Sequence, residues 1–256
     1  MKLNIVPART GIAWVKLGMR TFLKQPLALA GLFFMYMTAV IAVAQIPVVG
    51  VIIGGLLVPA ATLGLMAATD EAAQGRFPMP SVLLSAFRAG RQRVRAMLVL
   101  GVTYTIGSLA ATSLASLLLG GERGAAEGAF DGVTLLALVL HTPLFLMFWH
   151  APALVHWHGV TPAKSLFFSL VACLRNFGAF GLYGISWLAV FLVVGTVFGL
   201  LGGMIGGQSM ARAVMMPVAL IMAAMFSTSI YFTFRDCFVA TEDGGPAEPP
   251  RAKEPT

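Results

Sequence analysis

LALAGLFFMYMTAVIAVAQIPVVGVIIGGLLVPAATLGLMAA, residues 27–68, decides the fold. It carries no Asp, Glu, Lys or Arg along its whole length. A helix needs roughly 20 mostly apolar residues to cross about 30 Å of hydrocarbon. This stretch is long enough to cross twice. Pro47, with Gly50 soon after, marks where the chain turns. Spans are therefore predicted over 27–46 and 48–68, joined as a tight helical hairpin. Backbone groups in lipid must be paired within the chain, which selects helices.

Four further uncharged apolar runs follow, at 96–119, 132–155, 177–201 and 213–234. The expectation is an all-α, polytopic membrane helical bundle of six transmembrane helices over 27–236. Composition agrees. The chain has 256 residues, 58% hydrophobic and 11% charged, with a mean hydropathy of +0.87. A soluble domain carries about 25% charged residues, so water is the wrong solvent for most of this surface. Ala42-Val43-Ala44 has the small-x-small form of a signal cleavage site. The long segment before it and the apolar run directly after it favour an uncleaved first span.

The net charge of +7 does not indicate nucleic acid, because the basic residues sit in short blocks beside apolar runs. Of seventeen Lys and Arg, only Arg123 and Arg212 fall on one side of the predicted spans. The rest flank the other side, and basic loops stay in the cytoplasm. Both termini are therefore expected inside, with a short, mildly acidic outer loop around Glu122, Glu127 and Asp131. Residues 1–26 form a basic amphipathic segment. Residues 237–256, with Pro246, Pro249, Pro250 and Pro255 among charges, have no apolar pattern and are expected to be disordered. Cys173 and Cys237 form no CxxC pair and lie on the reducing side.

Each odd span is preceded by a short amphipathic segment. In the first, Lys16, Arg20 and Lys24 recur at every fourth residue beside a face of Ile12, Val15, Met19 and Phe22. In the second, Arg88, Arg91 and Arg95 are expected on one face. The third opens on Thr161-Pro162, an N-cap followed by proline in the first turn. These are read as cytoplasmic interfacial amphipathic helices, charges toward lipid headgroups and apolar faces toward the tails. The even spans hold Pro59, Pro143, Pro152 and Pro217, candidate hinges or tolerated kinks. Together they describe a threefold repeat of amphipathic helix plus hairpin.

Small residues form stripes. Gly101, Thr105, Ser108, Thr112 and Ala115 share a face of the third span; Gly195, Gly199, Gly203 and Gly207 form a ladder at the end of the fifth. Close helix packing is their common use. A polar pathway through Thr105, Ser108 and Thr112 is the sharper alternative. All four histidines cluster late: His141, His150, His156 and His158. His141 and His150 lie inside a span, where ionisable groups are functional candidates for a substrate or proton pathway. One segment supplies all four and no span has a carboxylate, so no metal site or haem is expected. Asp70, Glu71 and Asp236 stand at cytoplasmic span ends. GxSxG, HExxH and P-loop patterns are absent, and no enzyme activity or cofactor is expected.

The block Trp149-His-Ala-Pro-Ala-Leu154, His158-Gly159, Pro162-x-Lys-Ser165 and Ser169 to Asn176 is distinctive. So are Asn4-Ile-Val-Pro-Ala-Arg9 with Gly11 and Trp14, and Pro59-Ala-Ala-Thr-Leu-Gly-Leu65. These resemble a family of uncharacterised proteobacterial inner-membrane proteins. That family looks related to the YciC-like proteins and to the membrane domain fused to some glycerophosphodiester phosphodiesterases. The resemblance implies a multi-span inner-membrane protein and brings no catalytic residues. Two functions are expected from the sequence. One is a non-catalytic organising or accessory protein that binds anionic lipid, partner helices or copies of itself. The other is a small transporter or lipid carrier with a proline-kinked cavity.

Overall fold

The computed structural model describes residues 2–119 and 132–239. The predicted outer loop around Arg123 and most of the proline-rich tail lie outside the described residues. Helix α1 spans Thr10–Lys24, α2 Pro26–Ala44 and α3 Val49–Ala73. A 3₁₀ turn at Pro80–Leu84 leads to the single-turn α4, Ser85–Arg88. Then come α5 (Arg91–Leu118), α6 (Gly132–Phe148), α7 (Ala151–His158), α8 (Pro162–Arg175) and α9 (Phe177–Cys237). A two-residue strand at each end, β1 (Lys2–Leu3) and β2 (Phe238–Val239), pair antiparallel. The all-α membrane bundle is thus established, with five helical stretches among the described residues long and apolar enough to cross a bilayer.

The fifth stretch, α9, differs from the expected two separate spans. Its 61 residues are helical by hydrogen bonding, but Gly206 and Gly207 leave helical dihedrals, Gly207 at φ 68°. Glycine alone adopts that angle without strain. The chain folds back there. Tyr183 meets Ser229, Trp187 meets Phe226, and Gly202 abuts Ala211. Contacts that tighten steadily toward residues 206–207 define an antiparallel hairpin. Gly207 belongs to this turn rather than to a packing ladder.

The first hairpin turns at Val48, whose φ of 61° and ψ of −58°, with Val49 N–H donating to the Pro47 carbonyl at 2.6 Å, make a strained γ-turn. Pro59 and Pro143 lie within continuous helices α3 and α6, and Pro217 within α9. Pro152 does not. The predicted span 132–155 breaks at Trp149–His150, and Pro152 sits in the first turn of α7. A proline there needs no N–H partner.

Two of the amphipathic segments also depart from expectation. Gly90, at φ 92°, separates α4 from α5, so Arg88 does not share a helix face with Arg91 and Arg95. On α1 the apolar face does not turn toward lipid tails. Trp14, Val15 and Phe22 are buried in protein, and α1 packs on both arms of α9. A Cβ on Gly11 would stand 2.1 Å from the Ala179 carbonyl oxygen, and one on Gly18 2.4 Å from Ser229 Cβ. Lys16, Arg20 and Lys24 remain exposed on the outer face. Helix α8 is arranged the opposite way: Ser165, Ser169 and Cys173 are buried while Phe167 and Leu174 are exposed, as suits a helix lying against lipid. Thr161 gives α8 no side-chain cap bond; its carbonyl accepts from Ser165 N–H at 2.9 Å.

Candidate functional site: the histidine junction and its aromatic clasp

The break between α6 and α7 is closed by α8. An unbroken helix would have the Leu146 carbonyl accept from His150 N–H. Here the Ser169 hydroxyl inserts between them. It accepts from His150 N–H at 2.9 Å and donates to the Leu146 carbonyl at 2.8 Å. Cys173 Sγ approaches the same carbonyl at 3.7 Å. A side chain in the ladder is a recognised cause of a sharp helix bend. Burial pushes the Cys173 thiol up to about 12, which removes it as a nucleophile.

The break aims His150 inward, where it is fully buried. Its ring is surrounded by Phe180, Phe234 and Phe238, with centroids 5.8, 6.2 and 5.4 Å away. Nε2 lies 3.2 Å from Thr233 Oγ1. That hydroxyl also takes the Trp149 indole N–H at 2.9 Å and donates to the Ile230 carbonyl at 2.7 Å. A hydroxyl has one proton and two lone pairs. Its proton is used on Ile230, so Nε2 must be the donor. Hydrogen-bond accounting therefore assigns the Nε2–H tautomer. Nδ1 is left as a buried acceptor without a partner.

Two further polar ties join the same end of the bundle. Ser229 accepts from the Trp187 indole at 3.1 Å, lies 2.6 Å from the Tyr183 hydroxyl, and donates to the Phe226 carbonyl at 2.6 Å. Asp236 accepts from the Trp14 indole at 2.9 Å and pairs with Arg235 at 2.8 Å. Asn176, the last residue of the distinctive block, holds the N-terminal strand segment in place. Its Oδ1 accepts from Val6 N–H at 2.8 Å, and its amide donates to Asn4 and Ala172 carbonyls at 3.2 and 3.0 Å. Its place in the distinctive block was the available signal.

His141 stands elsewhere. Its Nδ1 lies 2.7 Å from the Ala137 carbonyl and so carries the proton, and Nε2 accepts from Ser108 at 3.1 Å. It borders a cavity of about 240 Å³ between α3, α5, α6 and α9. Of the expected polar stripe, only Ser108 bonds His141, and none of its residues lines the cavity. Thr105 and Thr112 donate to carbonyls of their own helix. Thr105 also touches α3, where a Cβ on Gly55 would stand 2.6 Å from Oγ1. Among the described residues, no group of three or more His, Cys, Asp or Glu is placed to hold a metal ion.

The basic residues singled out as headgroup contacts, Lys16, Arg20, Lys24, Arg88, Arg91 and Arg95, are all exposed. Asp70 accepts from the Tyr231 hydroxyl at 2.6 Å and from Gln74 at 2.7 Å.

A probable inner membrane protein of Burkholderia thailandensis is 38% identical over 266 aligned positions, covering 97% of this chain and 98% of the relative. No family model matches the chain, and no solved structure matches it.

Proposed function

The chain belongs to the family of that Burkholderia thailandensis inner-membrane protein, and within that multi-pass inner-membrane setting we propose a non-catalytic organising or accessory role. Its ligands are anionic lipids, partner helices or a second copy. The observation that carries the proposal is a division of labour among the polar groups. His150, Thr233, Ser229, Trp149 and Trp187 bond one another or nearby backbone in the interior. Lys16, Arg20, Lys24, Arg91 and Arg95 stand exposed, with no ion pair among the described residues. Interior polar groups spent on structure and free surface cations favour a scaffold that meets anionic headgroups, each Lys or Arg contributing about 1 kcal/mol there.

The same reading has six crossings with both termini in the cytoplasm. Pairing of β1 with β2 brings the two ends of the described chain to one end of the bundle, which favours an even number of crossings. The fold-back at Gly206–Gly207 lets α9 cross twice. Each hairpin follows a short amphipathic element, α1, the α4 region or α8, which supports the threefold repeat. Kinship with the YciC-like proteins and the phosphodiesterase-fused membrane domain is part of the proposal and rests on the sequence blocks quoted above.

The second reading is a small carrier, favoured by His141 at the edge of its cavity. Reconstitution separates the two. Purified protein in liposomes is assayed for pH-dependent solute flux, with His141→Ala and His150→Ala alongside. The scaffold reading expects no flux above empty liposomes. Flux that either substitution abolishes overturns it. Reporters fused to the two ends check orientation: signals from opposite faces would remove the six-crossing topology.

A further inference from the structure

Beside the junction described above, the segment linking α3 to α5 lies between two cavities of opposite character. One is a cleft of about 380 Å³, bordered by Arg88, Arg93 and His156 with Ser81, Ser85 and Glu71. The other is a groove of about 560 Å³ between α2 and α3, almost wholly apolar. Met35, Tyr36 and Val43 line it from one helix, Gly54 and Leu57 from the other. Ser81 borders both. The polar cleft reaches Glu71, at the end of α3 near the termini, while the groove runs back to Gly54, deeper in the bundle. The polar cleft and the apolar groove thus meet at Ser81, and the groove runs from there along α2 and α3. We infer that this pair of cavities seats one anionic glycerophospholipid, its phosphate on Arg88, Arg93 and His156 and an acyl chain in the α2–α3 groove.

The charges fit one net negative ligand. Two arginines face one carboxylate, and among the described residues neither is joined to Glu71 by an ion pair. His156 borders the cleft beside the two arginines. Helix α5 starts at Arg91 with no capping side chain and no acidic residue in its first turn. Its free N–H groups add positive potential beside the cleft. Guanidinium groups take phosphate oxygens in paired hydrogen bonds. Glu71, Ser81 and the lone pairs of Ser85, whose proton goes to the Val82 carbonyl, are left for headgroup hydroxyls, which suits a glycerol headgroup. The groove has room at a defined point: a Cβ on Gly54 would meet nothing within 4 Å. From Met35 to Val43 it follows α2 for about 12 Å, the scale of the upper part of an acyl chain. Lipid tails are as apolar as this lining, so the groove selects by shape and the cleft by charge.

The inference rests on the lipid-binding reading, and the test separates the two. Purified protein in detergent is titrated with phosphatidylglycerol, phosphatidylethanolamine and sn-glycerol 3-phosphate, and occupancy is read by native mass spectrometry. Phosphatidylglycerol is expected to bind about tenfold tighter than phosphatidylethanolamine, and glycerol phosphate not at all at the same concentrations. Arg88→Ala with Arg93→Ala lowers the affinity about tenfold or more. Gly54→Leu, which fills the groove, lowers it about tenfold. Leu57→Trp is the second groove variant, used if the first lowers the thermal midpoint. The triple variant Lys2→Ala, Arg9→Ala, Arg212→Ala, which removes three exposed cations outside the cleft, leaves affinity unchanged. Equal binding of both lipids by the native protein overturns the site and the lipid reading together. An equal loss in the triple variant means diffuse attraction; the site falls and the lipid reading stands. A loss in the arginine variants with none in the groove variants, or binding of glycerol phosphate as tight as lipid, reduces the site to a phosphate cleft and overturns the acyl seat.

Discussion

At the end of the bundle where β1 pairs with β2, Trp14, Trp149, Asn176 and Thr233 are buried and hydrogen-bonded across elements far apart in sequence. At the opposite end, near Val48 and Gly206–Gly207, Thr112 and Ser209 are exposed and Ser116 is half-buried, and each hydroxyl returns to a carbonyl three or four residues back in the chain. Leu117 and Met204 there are 79% and 84% exposed, against 0% for Trp14. One end gets its shape from side chains that fit one another. The other relies on helix hydrogen bonds and on the lipid around it. An apolar surface of this extent is stable only in hydrocarbon. The lesson is that polar residues in a membrane protein can tie elements together where aromatic side chains seal them, and that elsewhere they satisfy themselves locally.

The contrast can be broken most directly at glycine. Gly18→Leu is expected to cost more than about 3 kcal/mol, because its first side-chain atom already overlaps Ser229. Gly203→Ala, where nothing lies within 4 Å, is expected to change stability by less than about 0.5 kcal/mol. Thermal unfolding in detergent measures both; equal losses would erase the distinction between the ends. Next in size is Thr233→Val, which keeps the volume and strands the Trp149 and His150 donors. A loss of about 3 kcal/mol is expected, against well under about 1 kcal/mol for Thr112→Val. A Thr233→Val protein as stable as the native chain would dismiss the hydrogen-bond accounting at His150.

Ser169→Ala tests the junction. It removes the bridge between His150 N–H and the Leu146 carbonyl, for an expected loss of about 2 kcal/mol. Hydrogen exchange at His150 should quicken in step; an unchanged rate would mean the backbone finds another partner. At the far turn the sign reverses. Val48→Gly relieves a positive φ and is expected to stabilise by about 1 kcal/mol, read from the same melting curves. A loss would mean that packing at Val48 outweighs the strain. The smallest effect is chemical. With its pKa pushed up to about 12, Cys173 holds its proton at pH 8 and gains thiolate only as the pH climbs toward that value. Maleimide labelling of the folded protein at pH 8 should leave it unmodified, and labelling should follow unfolding. Rapid labelling of the native state would show the α8 face to be open.

How much was legible differs from element to element. The runs 27–46 and 48–68 correspond to helices α2 and α3, because a charge-free apolar stretch of that length has one stable solution in lipid. Arg88 read incorrectly: its spacing of three residues to Arg91 and seven to Arg95 looked helical, and Gly90 takes a dihedral that composition does not reveal. Pro152 was visible as a helix disturbance, but the sequence does not say that Ser169 would fill the gap. Nor does periodicity distinguish an amphipathic face that meets lipid from one that meets protein, as on α1. His141 and His150 were equally prominent in the sequence, and only the structure gives one a cavity and the other a sealed aromatic cage.

Solvent preference is a property of each residue, and it adds along the chain. The sequence therefore determined by itself that this protein is a helical membrane bundle, where most of its hydrocarbon-crossing stretches lie, and which blocks carry positive charge. Partnership is a property of pairs. That Trp14 meets Asp236, that Thr233 serves both Trp149 and His150, that Asn176 holds the N-terminal segment, and that Arg88 and Arg93 face one cleft were decided only when residues up to 222 positions apart were brought within hydrogen-bonding range.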